Sequence, residues 1–174
     1  MADAARSNAA APNAERQFLP VNIAVLTVSD TRSLTDDKSG DTLVHRIEGA
    51  GHVVAAREIV KDDQAAIVAQ LRKWIADENI DVVLATGGTG VTGRDVTPEA
   101  FMSVYEKEIP GFGELFRMLS FQEVGGAAML SRAQMGIARG RIVVSMPGSP
   151  NACRLALEKL VLPELGHLVR ELSR

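Results

Sequence analysis

The sequence predicts an α/β fold: one largely parallel sheet covered by helices, closed on one side by an antiparallel hairpin strand. Three observations carry this. Short apolar runs rich in β-branched residues recur at Val21–Val28, His52–Val60 and Ile80–Ala85, and helical patterns separate them. The runs end in polar or glycine-rich junctions, as strands do when they feed helices at one sheet edge. A late pair, Ser131–Ala138 and Arg141–Ser145, is separated by Arg139-Gly140 and reads as a β-hairpin.

The first strand, Val21–Val28, reads as buried on both faces and closes with Ser29-Asp30. After a polar loop, Asp37 or Ser39 caps a helix from about Gly40 to Ala50, with Leu43, Val44 and Ile47 facing inward and Gly49 and Gly51 stopping it. The second strand runs into Lys61-Asp62-Asp63, and the next helix sets Ile67, Leu71, Trp74 and Ile75 on one stripe. The third strand empties into Thr86-Gly-Gly-Thr-Gly90. Glycines there admit positive φ and bring successive amides into one concavity, the geometry of a phosphate-holding loop.

Thr97-Pro98 reads as N-cap and first residue of a helix that Phe101, Val104 and Tyr105 continue and Pro110-Gly111 breaks. Phe112, Leu115, Phe116 and Leu119 follow at helical spacing and read as core or subunit-contact residues. After the hairpin, Pro147-Gly148 makes a turn, Ser149 caps and Pro150 starts the last helix, which Pro163 should kink. Ser29, Asp30, Asp62, the glycine loop and the Met146-Pro-Gly148 turn thus share the carboxyl edge of the sheet.

Composition bounds the rest. The 174 residues are 46% apolar and 24% charged, as in a folded globule. Residues 1–17 read as a disordered tail, and 18–174 as a single domain. A net charge of −3 with no basic stripe argues against a nucleic-acid partner. One cysteine, Cys153, excludes an intrachain disulfide and suits a reducing compartment. No apolar run reaches the roughly 18 residues that span a bilayer, so a cytoplasmic protein with no membrane partner is expected.

Gly88, Gly90 and Gly93 spell G-x-G-x-x-G, but a dinucleotide fingerprint belongs at the first strand, and Glu106 and Glu108 fall in a stretch that reads as helical. No Gly-Lys-Ser/Thr follows, which excludes a P-loop. None of His45, His52 and His167 lies in a glycine-type strand-end loop, and Cys153 lacks a partner histidine, so acid–base and thiol chemistry are unsupported. What is left is metal-assisted phosphate chemistry. Asp62 and Asp95 suit Mg²⁺, which takes one or two carboxylates plus substrate phosphates. Each also stands near a helix start, where a carboxylate can cap instead.

Leu26-Thr-Val-Ser-Asp30, Asp37-Lys-Ser-Gly40, Thr86–Gly90, Arg94-Asp-Val-Thr-Pro-Glu99, Gly111–Leu119 and Met146-Pro-Gly-Ser149 together resemble the MoaB/MogA family of molybdenum cofactor biosynthesis proteins. Ile59-Val-Lys61, Phe116–Phe121 and Ala152-Cys-Arg154 resemble the MoaB branch. The resemblance implies a three-layer α/β/α molybdopterin-binding fold, a homotrimer or homohexamer, and Mg²⁺- and ATP-dependent adenylylation of molybdopterin. It implies Asp62 and Asp95 as the catalytic, metal-holding pair. It further implies ligand binding by Ser29, Asp30, Ser39, Gly40, Gly87, Gly88, Thr89, Gly90, Arg94, Pro147, Gly148 and Ser149. Other enzymes of the same biosynthesis are possible partners. A noncatalytic molybdopterin-binding scaffold and a nucleotide-binding regulator are the alternatives.

Overall fold

The computed structural model describes residues 18–173; the tail expected over 1–17 lies outside the described residues. Its elements are β1 (Asn22–Val28), α1 (Lys38–Gly49), β2 (Val53–Val60), α2 (Gln64–Ile75), β3 (Val82–Thr86), α3 (Thr97–Met102), β4 (Lys107–Glu108), α4 (Pro110–Val124), a 3₁₀ segment (Gly125–Leu130), β5 (Gln134–Ala138), β6 (Arg141–Met146), α5 (Pro150–Ala156), a π-helical segment (Leu157–Val161) and α6 (Leu162–Leu172). The six-stranded sheet has the order β2-β1-β3-β6-β5-β4. The pairs β1–β2, β1–β3 and β3–β6 are parallel, while β5–β6 and β4–β5 are antiparallel.

Strand alternation divides the core into two apolar layers. Ile23, Val25, Val82, Leu84, Ile142 and Val144 face α1, α4, α5 and α6, whereas Ala24, Leu26, Val83, Ala85 and Val143 face α2 and α3. The result is the expected helix–sheet–helix sandwich. Because β1 lies between β2 and β3, the chain leaves β1 toward one face and β3 toward the other, and the carboxyl ends of these two strands part around a crevice.

Local chemistry explains the helix starts. Asp37 caps α1 by accepting from the Gly40 amide at 3.0 Å, Asp63 caps α2 through Ala66, and Ser149 caps α5 through Ala152. The hairpin turns on Arg139 and Gly140, with φ of 49° and 75°, the left-handed pair that a two-residue hairpin needs.

Three expectations are corrected. The Thr97-Pro98 helix ends at Met102, so Val104 and Tyr105 lie beyond it. There the chain is drawn to the sheet edge by Glu106 N–H donating to Ile137 O and Ile109 N–H to Met135 O, each at 2.8 Å. That produces β4, and Glu108 is a strand residue while Glu106 directly precedes the strand. Second, Pro110 begins α4 rather than breaking a helix, since the first helical residue needs no amide donor. Third, Thr97 is not a cap: Val96 holds that position without a side-chain bond. Of the residues read as core or subunit contact, Phe112 and Phe116 are buried, Leu119 is partly buried and Leu115 is 47% exposed in the single chain. Where Pro163 was expected to kink the last helix, a π-helical segment, Leu157–Val161, precedes it and Pro163 stands in the first turn of α6.

Candidate active site

The glycine loop departs from β3 with Gly87 at φ +101° and Gly88 at φ +64°. A Cβ at Gly87 would strike the Val28 carbonyl, and one at Gly88 would strike the Thr97 hydroxyl and lie 2.9 Å from Asp62 Oδ1. Only glycine fits both the conformation and the space. Thr97, fully buried, donates its hydroxyl to the Gly87 carbonyl at 2.9 Å, while Gly87 N–H donates to Met146 O at 3.0 Å. The glycine loop and the Met146-Pro-Gly148 turn are therefore bonded to one another through the ends of adjacent strands. Thr86 reinforces this, its hydroxyl donating to Pro147 O at 2.9 Å.

Both loops open on one cavity of about 510 Å³. Gly88, Thr89, Gly90 and Asp95 line one side, and Pro147, Gly148 and Ser149 line another. The opposite wall comes from α4 and the 3₁₀ segment, with Phe116, Val124, Ala128 and Leu130 apolar and Ser120, Glu123 and Ser131 polar. A shelf of this kind beside amide-rich loops suits a flat heterocycle that carries phosphate.

Asp95 accepts from the Thr92 amide at 2.9 Å and from the Thr92 hydroxyl at 2.6 Å. The Thr92 hydroxyl above all, together with the Thr92 and Gly90 amides and Arg132, holds its carboxyl below the ordinary value despite some burial. Asp62 behaves oppositely: burial first, and the charge of Asp95 second, push its carboxyl up. Neither residue is a helix cap, since Asp63 caps α2 and Val96 precedes α3. Among the described residues no group of three or more His, Cys, Asp or Glu forms a metal cage. Two mutually repelling carboxylates beside an amide loop nonetheless fit Mg²⁺, which completes its shell with water and phosphate oxygens.

The other predicted residues are distributed around this centre. Asp30 accepts from the Asp62 amide at 3.2 Å and forms an ion pair with Arg94, which reaches over from the glycine loop. Ser29 accepts from the amides of Thr31 and Arg32 and shapes the loop after β1. Ser39 and Gly40 do not line this cavity; they are buried and pack on Asp37. Asp37 itself is fully buried and accepts from Thr27 Oγ1 at 2.6 Å and Arg57 Nη2 at 3.1 Å. Burial works against its charge, but these bonds and the Gly40 amide outweigh it and hold the carboxyl low. Arg32 links this cluster to the turn, with Nη1 on Ser39 Oγ and Nη2 near Gly148 O at 3.4 Å.

Sequence reasoning missed Ser120, Glu123 and Asn151 on the cavity wall and Arg132 behind the glycine loop. The helical period of α4 placed its apolar residues, but nothing in the period says that Ser120 and Glu123 turn toward a strand-end loop. Cys153 is buried as expected, 3.2 Å from Thr86 Oγ1, and burial pushes its thiol up to about 11. His52 is also structural: Nδ1 accepts from the Val21 amide at 3.2 Å.

Comparison with known proteins gives consistent matches. The family described as "Probable molybdopterin binding domain" matches residues 24–167. Molybdenum cofactor biosynthesis protein B of Bacillus subtilis is 49% identical over 155 residues, covering 88% of this chain and 91% of that protein. The Escherichia coli protein of the same name is 47% identical over 149 residues, covering 86% and 88%. Among solved structures, a molybdenum cofactor biosynthesis protein B superposes with a TM-score of 0.88 at 51% identity, covering 90% of this chain and 98% of that one. The tungsten cofactor synthesizing protein MoaB of Pyrococcus furiosus superposes with a TM-score of 0.79 at 37% identity, covering 89% and 98%.

Proposed function

The chain belongs to the molybdopterin-binding domain family, in its MoaB/MogA group, and from that premise we propose that it acts in molybdenum cofactor biosynthesis by adenylylating the terminal phosphate of molybdopterin with ATP. The observation that carries this reading is the convergence of two bonded strand-end loops and Asp95 on one cavity. In the reaction a molybdopterin phosphate oxygen bonds to the α-phosphorus of ATP, and the bond to the β-phosphate oxygen breaks, releasing pyrophosphate. The nucleophile is already anionic, so the step needs alignment and charge neutralisation rather than a general base. A site that offers no histidine is sufficient.

The Gly88–Gly90 and Gly148–Ser149 segments bind and orient phosphates through backbone amides, and the apolar wall around Phe116 and Val124 excludes water from the reacting atoms. Asp62 and Asp95 are the residues that would hold Mg²⁺, which supplies charge neutralisation on the phosphate oxygens. Asp30 orients the Asp62 backbone and anchors Arg94 at the rim. The exposed apolar face of α4 supports assembly as a homotrimer or homohexamer. The buried free thiol of Cys153 agrees with action in the cytoplasm beside the other enzymes of the pathway.

Purified protein given molybdopterin, ATP and Mg²⁺ should release pyrophosphate and form adenylylated molybdopterin. Molybdopterin lacking its terminal phosphate should bind and not react. Tight molybdopterin binding with no pyrophosphate at saturating Mg-ATP would replace this reading with that of a noncatalytic scaffold.

A further inference from the structure

Arg132 lies in the link between the 3₁₀ segment and β5, on the same stretch that ends the far wall of the cavity. Its Nε donates to the Gly90 carbonyl at 2.8 Å and its Nη2 to the Asp95 carbonyl at 2.7 Å. Nη1 pairs with Glu99 of α3. Gly90 and Asp95 bracket the turn in which Thr92 holds the Asp95 carboxylate. One guanidinium thus joins both ends of that turn, the helix after it and the wall opposite.

This arrangement uses what distinguishes arginine: a rigid, permanently charged fork with donors in several fixed directions. Drawing two carbonyls to one cation also fixes their peptide planes. Because each peptide is trans and planar, the Val91 and Val96 amides lie in those planes and point away from the carbonyls that Arg132 holds.

We infer that Arg132 is a positioning residue that sets the 90–96 loop, and through it the Asp95 carboxylate, in ligand-ready shape before any ligand arrives. The consequence for turnover rests on the function proposed above; the consequence for the loop does not.

The full chain tests both. In hydrogen exchange on the unliganded protein, Arg132→Ala and Arg132→Lys should exchange about tenfold faster at residues 90–96, with the sheet unchanged, as loss of charge-assisted bonds to a local segment requires. Unchanged exchange there in a folded variant overturns the inference. If Arg132→Ala does not fold, Arg132→Lys, which keeps charge and bulk, carries the same test. In the pyrophosphate assay, Arg132→Lys should need about tenfold more Mg²⁺ for half-maximal rate while kcat at saturating Mg²⁺ stays within about twofold. A kcat loss with unchanged Mg²⁺ dependence overturns the positioning role. Wild-type protein that releases no pyrophosphate counts against the proposed function alone, because the exchange comparison still decides the loop.

Discussion

Asp62 and Asp95 flank the glycine loop with opposed protonation tendencies: burial and the Asp95 charge raise the Asp62 carboxyl, whereas the Thr92 hydrogen bonds lower that of Asp95. The unliganded site therefore stores repulsion that a cation relieves. Asp62→Asn should raise the melting temperature slightly, by about 2 °C at neutral pH, and abolish most Mg²⁺-dependent turnover. Asp95→Asn keeps an acceptor for Thr92, so it should remain folded while losing about 10² in rate. Thermal melts and pyrophosphate release on the two variants check this. An Asp95→Asn protein with full activity per folded molecule would remove Asp95 from the site.

Gly88→Ala should be damaging twice over. The positive φ strains any side chain, and the added methyl meets Thr97 Oγ1 and Asp62 Oδ1. A loss of about 2 kcal/mol in urea unfolding is expected, together with loss of nucleotide binding by calorimetry.

Asp37 gives the pH dependence a sign. Its folded carboxyl lies below the unfolded value of about 3.9, so its contribution is complete above that pH and is lost as pH falls through the lower, folded value. Asp37→Asn should cost about 3 kcal/mol at pH 7, because it removes the charge of a fully buried group that accepts from Thr27, Gly40 and Arg57, and leaves Arg57 with Asp41 as its ionic partner. The gap between variant and wild type should narrow below about pH 4. Urea titrations across pH 3 to about 7 measure it.

The sheet and the two strand-end loops that line the candidate site were legible because their signals are local. Glycines after β3, Asp37 and Ser149 before helices, and the Arg139-Gly140 turn each announce a backbone conformation in the residues that adopt it. What was illegible depends on distant partners. β4 has two residues, Lys107 and Glu108, too short for any period, and exists because β5 offers an open edge. Thr97 sits where a cap belongs, yet its hydroxyl is recruited by Gly87, ten residues back. Ser39 and Gly40, which the family resemblance implies as binding residues, pack on Asp37, a contact set by side chains and not by any local period.

The outward side of α4 carries Leu115, Met118 and Phe121, each between 47% and 61% exposed, and Met129 in the following 3₁₀ segment is 79% exposed. An exposed apolar stripe of this kind predicts self-association. Sedimentation at micromolar concentration should show an oligomer, and Phe121→Glu should shift it toward monomer without lowering the melting temperature of the subunit. A monomeric wild-type chain would remove this assembly.

The π-helical turn at Leu157–Val161 sets which way the last helix faces. There Leu162 N–H reaches back five residues to Leu157 O, so the turn holds one residue more than a regular helix would. One residue is worth about 100° of rotation. That extra step brings Leu165 into the same apolar layer as Cys153 and Ala156, instead of leaving the two halves of the helix facing different ways. Deleting Lys159 should restore an unbroken α-helix, swing Leu165, Leu168 and Leu172 out of the sheet layer, and expose the last helix to proteolysis while the strand-end loops keep their shape.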